Sequence, residues 1–193
     1  DPIYSSSSIL NQSSDIYNLD QKNFIYKIKS KININSFNQQ IDKSQDLKVL
    51  VIGETIIDNY VFCEALGKSG KEPHLVLKNL KEEIYLGGVI AVARNISDFC
   101  KKITILSALG EDKKYEKYIK KILPKHIKTQ FLYKSKSPTI IKRRYIEHIT
   151  NNKILGVYKM NDDLLNKRDE FFFEKIILKE IKKTKDYQHI KLF

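Results

Sequence analysis

The chain has 193 residues, 41% of them hydrophobic and 30% charged, with 35 Lys or Arg against 23 Asp or Glu and a formal charge of +12. That size and mixture fit a soluble globular protein of one domain, or pieces of two, with a respectable core. They exclude a bilayer-spanning helix, because no stretch is long and apolar enough, and a disulfide scaffold, because Cys63 and Cys100 are the only cysteines.

Residues 1–45 are rich in Ser, Asn and Gln and contain neither Gly nor Val. "YSSSSILN" reads as a serine helix start, where hydroxyl oxygens accept from free backbone N–H groups. "LDQKNFIYKIKSKI" sets Phe24, Ile25, Ile28 and Ile32 at helical spacing. Two short helices are expected here, without a full core of their own. No basic start and apolar block precede them, so no signal peptide is read. The chain opens on Asp1 rather than Met, which fits a processed, trimmed or fragmentary product.

From Lys48 the character changes. "KVLVIG" is a short apolar run of the kind buried in a parallel sheet, and Gly53 is expected to stop it. "TIIDNYVF" and "HLVLKNL" also read as strands. "GGVIAVARNISDFC" reads as a helix whose apolar side is Ile90, Val92, Ala93, Ile96 and Phe99. A strand "KITILSALG", a helix "EDKKYEKYIKKIL" ended by Pro124, strands "TQFLYK", "PTIIKRRYIEH" and "KILGVYKM", and a helix "RDEFFFEKIILKEIKKT" complete the order. Alternating strands and helices predict an α/β fold with a mostly parallel sheet flanked by helices. The helix-free stretch from Thr55 to Tyr85 predicts a small side sheet.

Charge is concentrated between Lys101 and Arg144, where fourteen Lys or Arg face three Asp or Glu. Such a stripe is a solvated surface or attracts nucleic acid, lipid or a phosphorylated small molecule. Tyr115, Tyr118, Phe131, Tyr133 and Tyr145 lie among these cations, as a nucleic-acid surface would need, but no groove-reading motif accompanies them. The two cysteines have no zinc spacing and read as free thiols of a reducing, cytoplasmic compartment.

Three motifs carry chemistry. In "VIGETIID" a carboxylate, Asp58, follows a strand, where it could accept from a sugar diol or simply meet solvent. In "GGVIAVARN" the bare backbone of Gly87 and Gly88 opens a helix, offering free N–H donors to a ligand or making a tight turn. In "PTIIKRRYIEH" alternation puts Lys142 and Arg144 on one strand face. There they could clamp an anion between them or guard an exposed sheet edge.

The order "GETIID", "GKSGKEP", "GG" with its helix, "ITILSALGED" and "PTIIKRRYI" resembles the first half of a ribokinase-like (PfkB) sugar kinase. It is most similar to the kinase domain of bifunctional heptose 7-phosphate kinase/nucleotidyltransferases. The resemblance covers roughly Leu47 to Asp163. It implies that Asp58 holds sugar hydroxyls, that Gly87 and Gly88 line the sugar pocket, and that Thr55–Tyr85 forms a β-lid with Lys71, Glu72 and Pro73 on its loop. It also implies that Gly110 and Asp112 make the next strand-to-helix turn, and that Lys142 and Arg144 lie near the phosphorylated end of the substrate. Ser5, Ser6 and Ser7 are similar to a helix start near the end of cytidylyltransferase-like enzymes, where such groups touch nucleotide phosphates.

The implied organisation is a nucleotidyltransferase-like remnant at 1–32, a linker or helix at 33–46, and the N-terminal part of a ribokinase-like sugar kinase at 47–193. The implied parent uses ATP and Mg2+ to phosphorylate a sugar phosphate and makes a nucleotide-sugar for surface polysaccharide. An alternative is a non-catalytic half-domain that forms a homodimer, its exposed lid sheet pairing with a partner's. No membrane partner is expected and nucleic acid is an outside alternative. Departures touch the substrate: Ala91 stands where the family's Asn contacts the sugar, and Gly156 and Tyr158 replace an Arg and an Asp of heptose kinases. The family's late G-A-G-D segment, whose Asp is the general base, has no counterpart, since no glycine follows Gly156. No catalytic residue is assigned within the chain, and the general base is expected beyond Phe193. These residues are therefore expected to bind no ATP or metal firmly and to be inactive alone.

Overall fold

The computed structural model describes residues 17–182 and the backbone of His189–Leu192. Ser5, Ser6 and Ser7 lie outside the described residues. So does Phe193, the position beyond which the general base is expected, and the described residues therefore leave that expectation untested. The chain divides into two compact units, residues 1–43 and 44–193.

The described part of the first unit is helical. Helix α1 (Leu19–Lys31) begins at Asn18, whose side chain accepts from the Gln21 amide at 2.9 Å while the Gln21 side chain accepts from the Asn18 amide at 3.0 Å. This reciprocal cap satisfies two otherwise free donors. Helix α2 (Ile34–Ser44) begins where the Asn33 side chain accepts from the Ser36 amide at 2.7 Å. Neither helix buries a residue, and Phe24, Ile28, Ile32 and Phe37 are exposed. The helix expected at "LDQKNFIYKIKSKI" forms, α2 occupies the stretch read as a linker or helix, and the helix start expected at "YSSSSILN" lies outside the described residues.

The second unit is built on one very long strand, β1 (Lys48–Lys68). Gly53 does not stop it. The backbone stays extended through Gly53 because hydrogen-bonding partners follow without a break: β3 (Lys102–Gly110) runs parallel to its first part, and β2 (Leu75–Gly88) pairs antiparallel with the rest. Beyond β3 lies β4 (Ile127–Lys134), also parallel. On the lid portion of β1, β5 (Ile140–Glu147) runs parallel and β6 (Lys153–Lys159) pairs antiparallel with β5. Strand β7 (His189–Leu192) adds a further parallel partner to Val49–Ile52. The expected β-lid is present, and it is larger than Thr55–Tyr85 because β5 and β6 belong to it.

Val49–Ile52 is buried on both faces. Val49 and Val51 pack with Ile103, Ile105, Val89, Ile90 and Ala93; Leu50 and Ile52 pack with Leu106 against Phe173, Ile176 and Ile177. Helix α3 (Val89–Ile96) and helix α4 (Glu116–Ile122) supply the first layer, and helix α5 (Lys167–Lys182) supplies the second. The result is the helix–sheet–helix arrangement expected of an α/β fold.

Two helices are shorter than their periodicity suggests. α3 ends at Ile96, with the Ser97 hydroxyl turned back onto the Arg94 carbonyl at 2.6 Å. Phe99, expected on the apolar side, is therefore 50% exposed. α4 starts at Glu116 rather than Glu111, because Lys113, at φ +54°, breaks the right-handed helical backbone between them. Asn166 caps α5, accepting from the Asp169 amide at 2.9 Å. The buried Asp169 carboxylate in turn accepts from the Ser135 amide and hydroxyl and from the Asn166 side chain. That network fixes the β4–β5 connection, and with it the start of β5.

Candidate functional site

Strand alternation sorts the lid into two faces. Along β1, Thr55, Ile57, Asn59, Val61 and Cys63 are buried, while Ile56, Asp58, Tyr60 and Phe62 are half-buried on the other face. Register places Tyr85 and Gly87 of β2 opposite Asp58 and Ile56. It places Lys142 and Arg144 of β5 beside Asp58 and Tyr60. The sequence-predicted residues Asp58, Gly87, Gly88, Lys142 and Arg144 are thus brought together around one stretch of β1. β5 has a partner strand on either side, so its cations do not guard an edge.

The glycines answer to close approach. A Cβ on Gly87 would run into the Asp58 carboxylate, and one on Gly88 into the Glu54 carbonyl oxygen. Gly88 also has φ +58° and ψ −139°, a conformation open in practice only to glycine. Here β2 ends and α3 begins. Ala91 lies in the first turn of α3 and, as an alanine, offers no side-chain hydrogen bond.

Arg144 forms an ion pair with Asp58, Nη1 to Oδ1, with both side chains about four-fifths buried. The Asp58 bond holds the guanidinium still more firmly in its charged form. The Arg144 guanidinium lies 5.5 Å from the Tyr60 ring centre and 5.8 Å from that of Tyr158. Lys142 Nζ lies 5.8 Å from the same Tyr158 ring. Gly156 sits beside Arg144 in the register, and the position of a Cβ there would be 3.4 Å from the Tyr158 ring. The two departures from the heptose-kinase pattern are therefore one local feature: a bare strand position with an aromatic ring across it.

The concave face continues toward the lid tip. Tyr60 and Tyr85 meet edge to face at 5.6 Å. Glu83 accepts from Tyr85 Oη at 2.5 Å and from Lys81 Nζ at 2.7 Å, which holds its carboxyl below the usual range. Asp58, Tyr60, Phe62, Glu83, Tyr85 and Ile146 line a cleft of about 380 Å³. Sequence reading missed Tyr60, Phe62, Glu83 and Tyr85, although counting by twos from Asp58 and from Gly87 reaches all of them.

Much of the basic stripe has local work. Lys120 pairs with Glu116 at 2.6 Å, Lys113 covers the Tyr133 ring at 4.3 Å, and Lys134 Nζ donates to the Asn161 and Asp163 carbonyls. Tyr115, Tyr118, Phe131 and Tyr133 pack against the core rather than forming an open stacking surface. Asp112 accepts from the Lys114 amide at 3.2 Å beside Gly110, whose own amide donates to Thr139 Oγ1 at 2.9 Å. Cys63 and Cys100 are buried free thiols, and burial pushes both up from the ordinary thiol range. Among the described residues no group of three or more His, Cys, Asp or Glu is placed to hold a metal ion, and no helix is long and apolar enough to cross a membrane.

The model of the pfkB family of carbohydrate kinases matches residues 46–185. The bifunctional protein HldE of Campylobacter jejuni is 33% identical over 111 residues, covering 58% of this chain and 23% of that protein. HldE of Helicobacter pylori is 33% identical over 135 residues, covering 67% and 29%. The chain thus spans about a quarter of the length of these curated relatives. Among solved structures, a "possible 1-phosphofructokinase" from Thermotoga maritima matches with a TM-score of 0.53 at 18% identity, covering 75% of this chain and 44% of that one. A phosphofructokinase-2 variant from Escherichia coli matches with a TM-score of 0.50 at 15% identity, covering 69% and 41%. These two show the ribokinase-like fold.

Proposed function

The chain belongs to the pfkB family of carbohydrate kinases, and on that premise we propose that it carries the sugar-binding and lid half of an ATP-dependent kinase for a sugar or sugar phosphate, heptose 7-phosphate-like, from a bifunctional nucleotide-sugar enzyme. The observation that carries the proposal is the meeting of an acidic, a bare and a basic element. Asp58 stands over the Gly87 backbone, with Lys142 and Arg144 on the adjoining strand. A carboxylate accepts from sugar hydroxyls, exposed backbone lets the ring come close, and cations suit a phosphate. The likeness to HldE over the same residues supports a heptose phosphate as the substrate class.

The proposal assigns the rest of the reaction elsewhere. ATP and Mg2+ would serve the whole enzyme, but no described group of residues fits a metal, and no step is routed through either here. The glycine-rich helix start and the general base of the family are not among the residues from Asp1 to Phe193. Residues 1–32 read as the remnant of a nucleotidyltransferase-like domain, with Ser5, Ser6 and Ser7 as its nucleotide-binding residues. Pairing through the lid as a homodimer belongs to the same proposal, since Leu80, Ile84, Leu155 and Val157 are exposed on lid strands.

Calorimetric titration of residues 1–193 with heptose 7-phosphate, together with an ATP-turnover assay, tests this. Saturable binding without turnover is the expected result. Absence of binding to heptose 7-phosphate and to other sugar phosphates sinks the sugar-site reading, and robust turnover sinks the division of labour.

A further inference from the structure

Resting on the reading of the lid face as a sugar-phosphate site, we propose that the two cations of β5 do different work. Arg144 is a positioning residue that aims the Asp58 carboxylate at the sugar, and Lys142 is the cation that receives the substrate's anionic end. The sequence pattern alone suggests a joint clamp; the side chains do not form one.

Arg144 is already engaged on three sides. Its Nη1 holds Asp58 Oδ1, and its guanidinium carbon lies 5.5 Å from the Tyr60 ring centre and 5.8 Å from that of Tyr158. The side chains of Arg144 and Asp58 are only 19% and 21% exposed. Moving the guanidinium onto a phosphate would leave the carboxylate in a largely dry place without its partner, which is costly. The carboxylate, meanwhile, is divided. Oδ1 belongs to Arg144, while Oδ2 stands against Gly87, where a Cβ would strike it. Only the missing side chain leaves room for Oδ2 beside that backbone, and this oxygen, outside the Arg144 bond, is the one left for a sugar hydroxyl.

Lys142 has the opposite situation. It is the direct neighbour of Asp58 in the parallel register, so it rises from the same face at the same level. The contact of its ammonium in the structure is the Tyr158 ring at 5.8 Å, a weak and displaceable one. A compact ammonium on a flexible stem can follow a phosphate without breaking an ion pair. The Tyr158 ring centre lies at the same 5.8 Å from both cations, so what separates them is the Asp58 bond that Arg144 makes and Lys142 does not.

The two roles separate in a calorimetric titration of the full chain with heptose 7-phosphate and with the unphosphorylated heptose. Lys142→Ala is expected to cut the advantage of the phosphorylated sugar by about tenfold, as for one lost hydrogen bond to a charged group. Arg144→Gln is expected to weaken both sugars by the same factor, also about tenfold, with Arg144→Lys recovering part of the loss. The double variant Asp58→Asn/Arg144→Gln is expected to bind no worse than Asp58→Asn, because Arg144 acts through that carboxylate. Selective loss of the phosphorylated sugar in Arg144→Gln, or additive losses in the double variant, overturns the proposal. If the unaltered chain binds neither sugar, the sugar-site reading fails, and the pairing is still decided by ligand-free thermal melts. Non-additive midpoints for the Asp58 and Arg144 variants uphold it, and additive midpoints overturn it.

Discussion

The two halves of β1 make opposite use of the same strand. Val49–Ile52 is apolar at every position and buried on both faces, between a helical layer on one side and α5 on the other. From Thr55 to Cys63 the chain alternates, with one face buried and the other presenting Asp58, Tyr60 and Phe62 to a cleft. One continuous backbone therefore links a region specialised for stability to a region specialised for contact. Gly53 lies between the two halves without interrupting the strand or its pairing.

The largest effect that follows is in the first half. Leu50→Ala empties a fully buried site against Leu106 and Phe173, and is expected to lower stability by about 2–5 kcal/mol in chemical denaturation. The half-exposed Tyr158→Ala on the lid is expected to stay within about 0.5 kcal/mol. Equal losses would dissolve the contrast between the halves.

A smaller effect tests the junction. Gly88→Ala puts a methyl against the Glu54 carbonyl at a backbone conformation reserved for glycine, and is expected to cost about 1–3 kcal/mol. Because Glu54 lies just where β1 passes from one sheet region to the other, sugar affinity should fall with it. A Gly88→Ala protein with unaltered melting and binding would show that the junction is slack.

The smallest effect lies on the core side. Tyr133 donates to Glu116 at 2.8 Å, and burial followed by that bond pushes its phenol up to about 12. Between the ordinary tyrosine range near 10 and this value, the unfolded chain releases a proton that the folded chain keeps, so stability falls as pH rises through that window. Tyr133→Phe is expected to flatten this alkaline decline in melts between about pH 10 and 12 and to remove one late phase from the tyrosine ultraviolet titration. Hydrogen bonds from Lys120 and Tyr133 hold Glu116 below the usual carboxylate range; its contribution is present above that range and lost as pH falls through its folded value. An unchanged alkaline profile would place Tyr133 outside the stabilising network.

Much of this is legible in the sequence. The continuous run "KVLV" reads as a doubly buried strand, and "TIIDNYVF" reads as a strand, though its burial on one face alone is not visible in its polarity. Asp58, Gly87, Gly88, Lys142 and Arg144 were each singled out, and they converge. What was not legible is what they do to one another. An Arg and a Lys at alternate positions look equivalent in a strand, yet one is bound to a carboxylate 86 residues away and the other is not. Tyr158 looked like a departure, and it touches both cations. Gly53 looked like a strand end, and pairing overruled it. Helix α3 looks four residues longer at its C-terminal end, and the Ser97 turn ends it.

The sequence by itself determined the order of elements, the faces of each strand and the residue types at the lid, because periodicity and glycine positions act within a few neighbours along the chain. Only the tertiary structure decided that β5 and β6 join the lid, that Asp58 and Arg144 form a pair, and that Tyr158 lies across both cations. The first two depend on strand register between segments some 80 residues apart, and the third on the β5–β6 pairing that register brings to β1. Register between distant strands is set by which faces are buried when whole strands meet, which no few neighbouring residues decide.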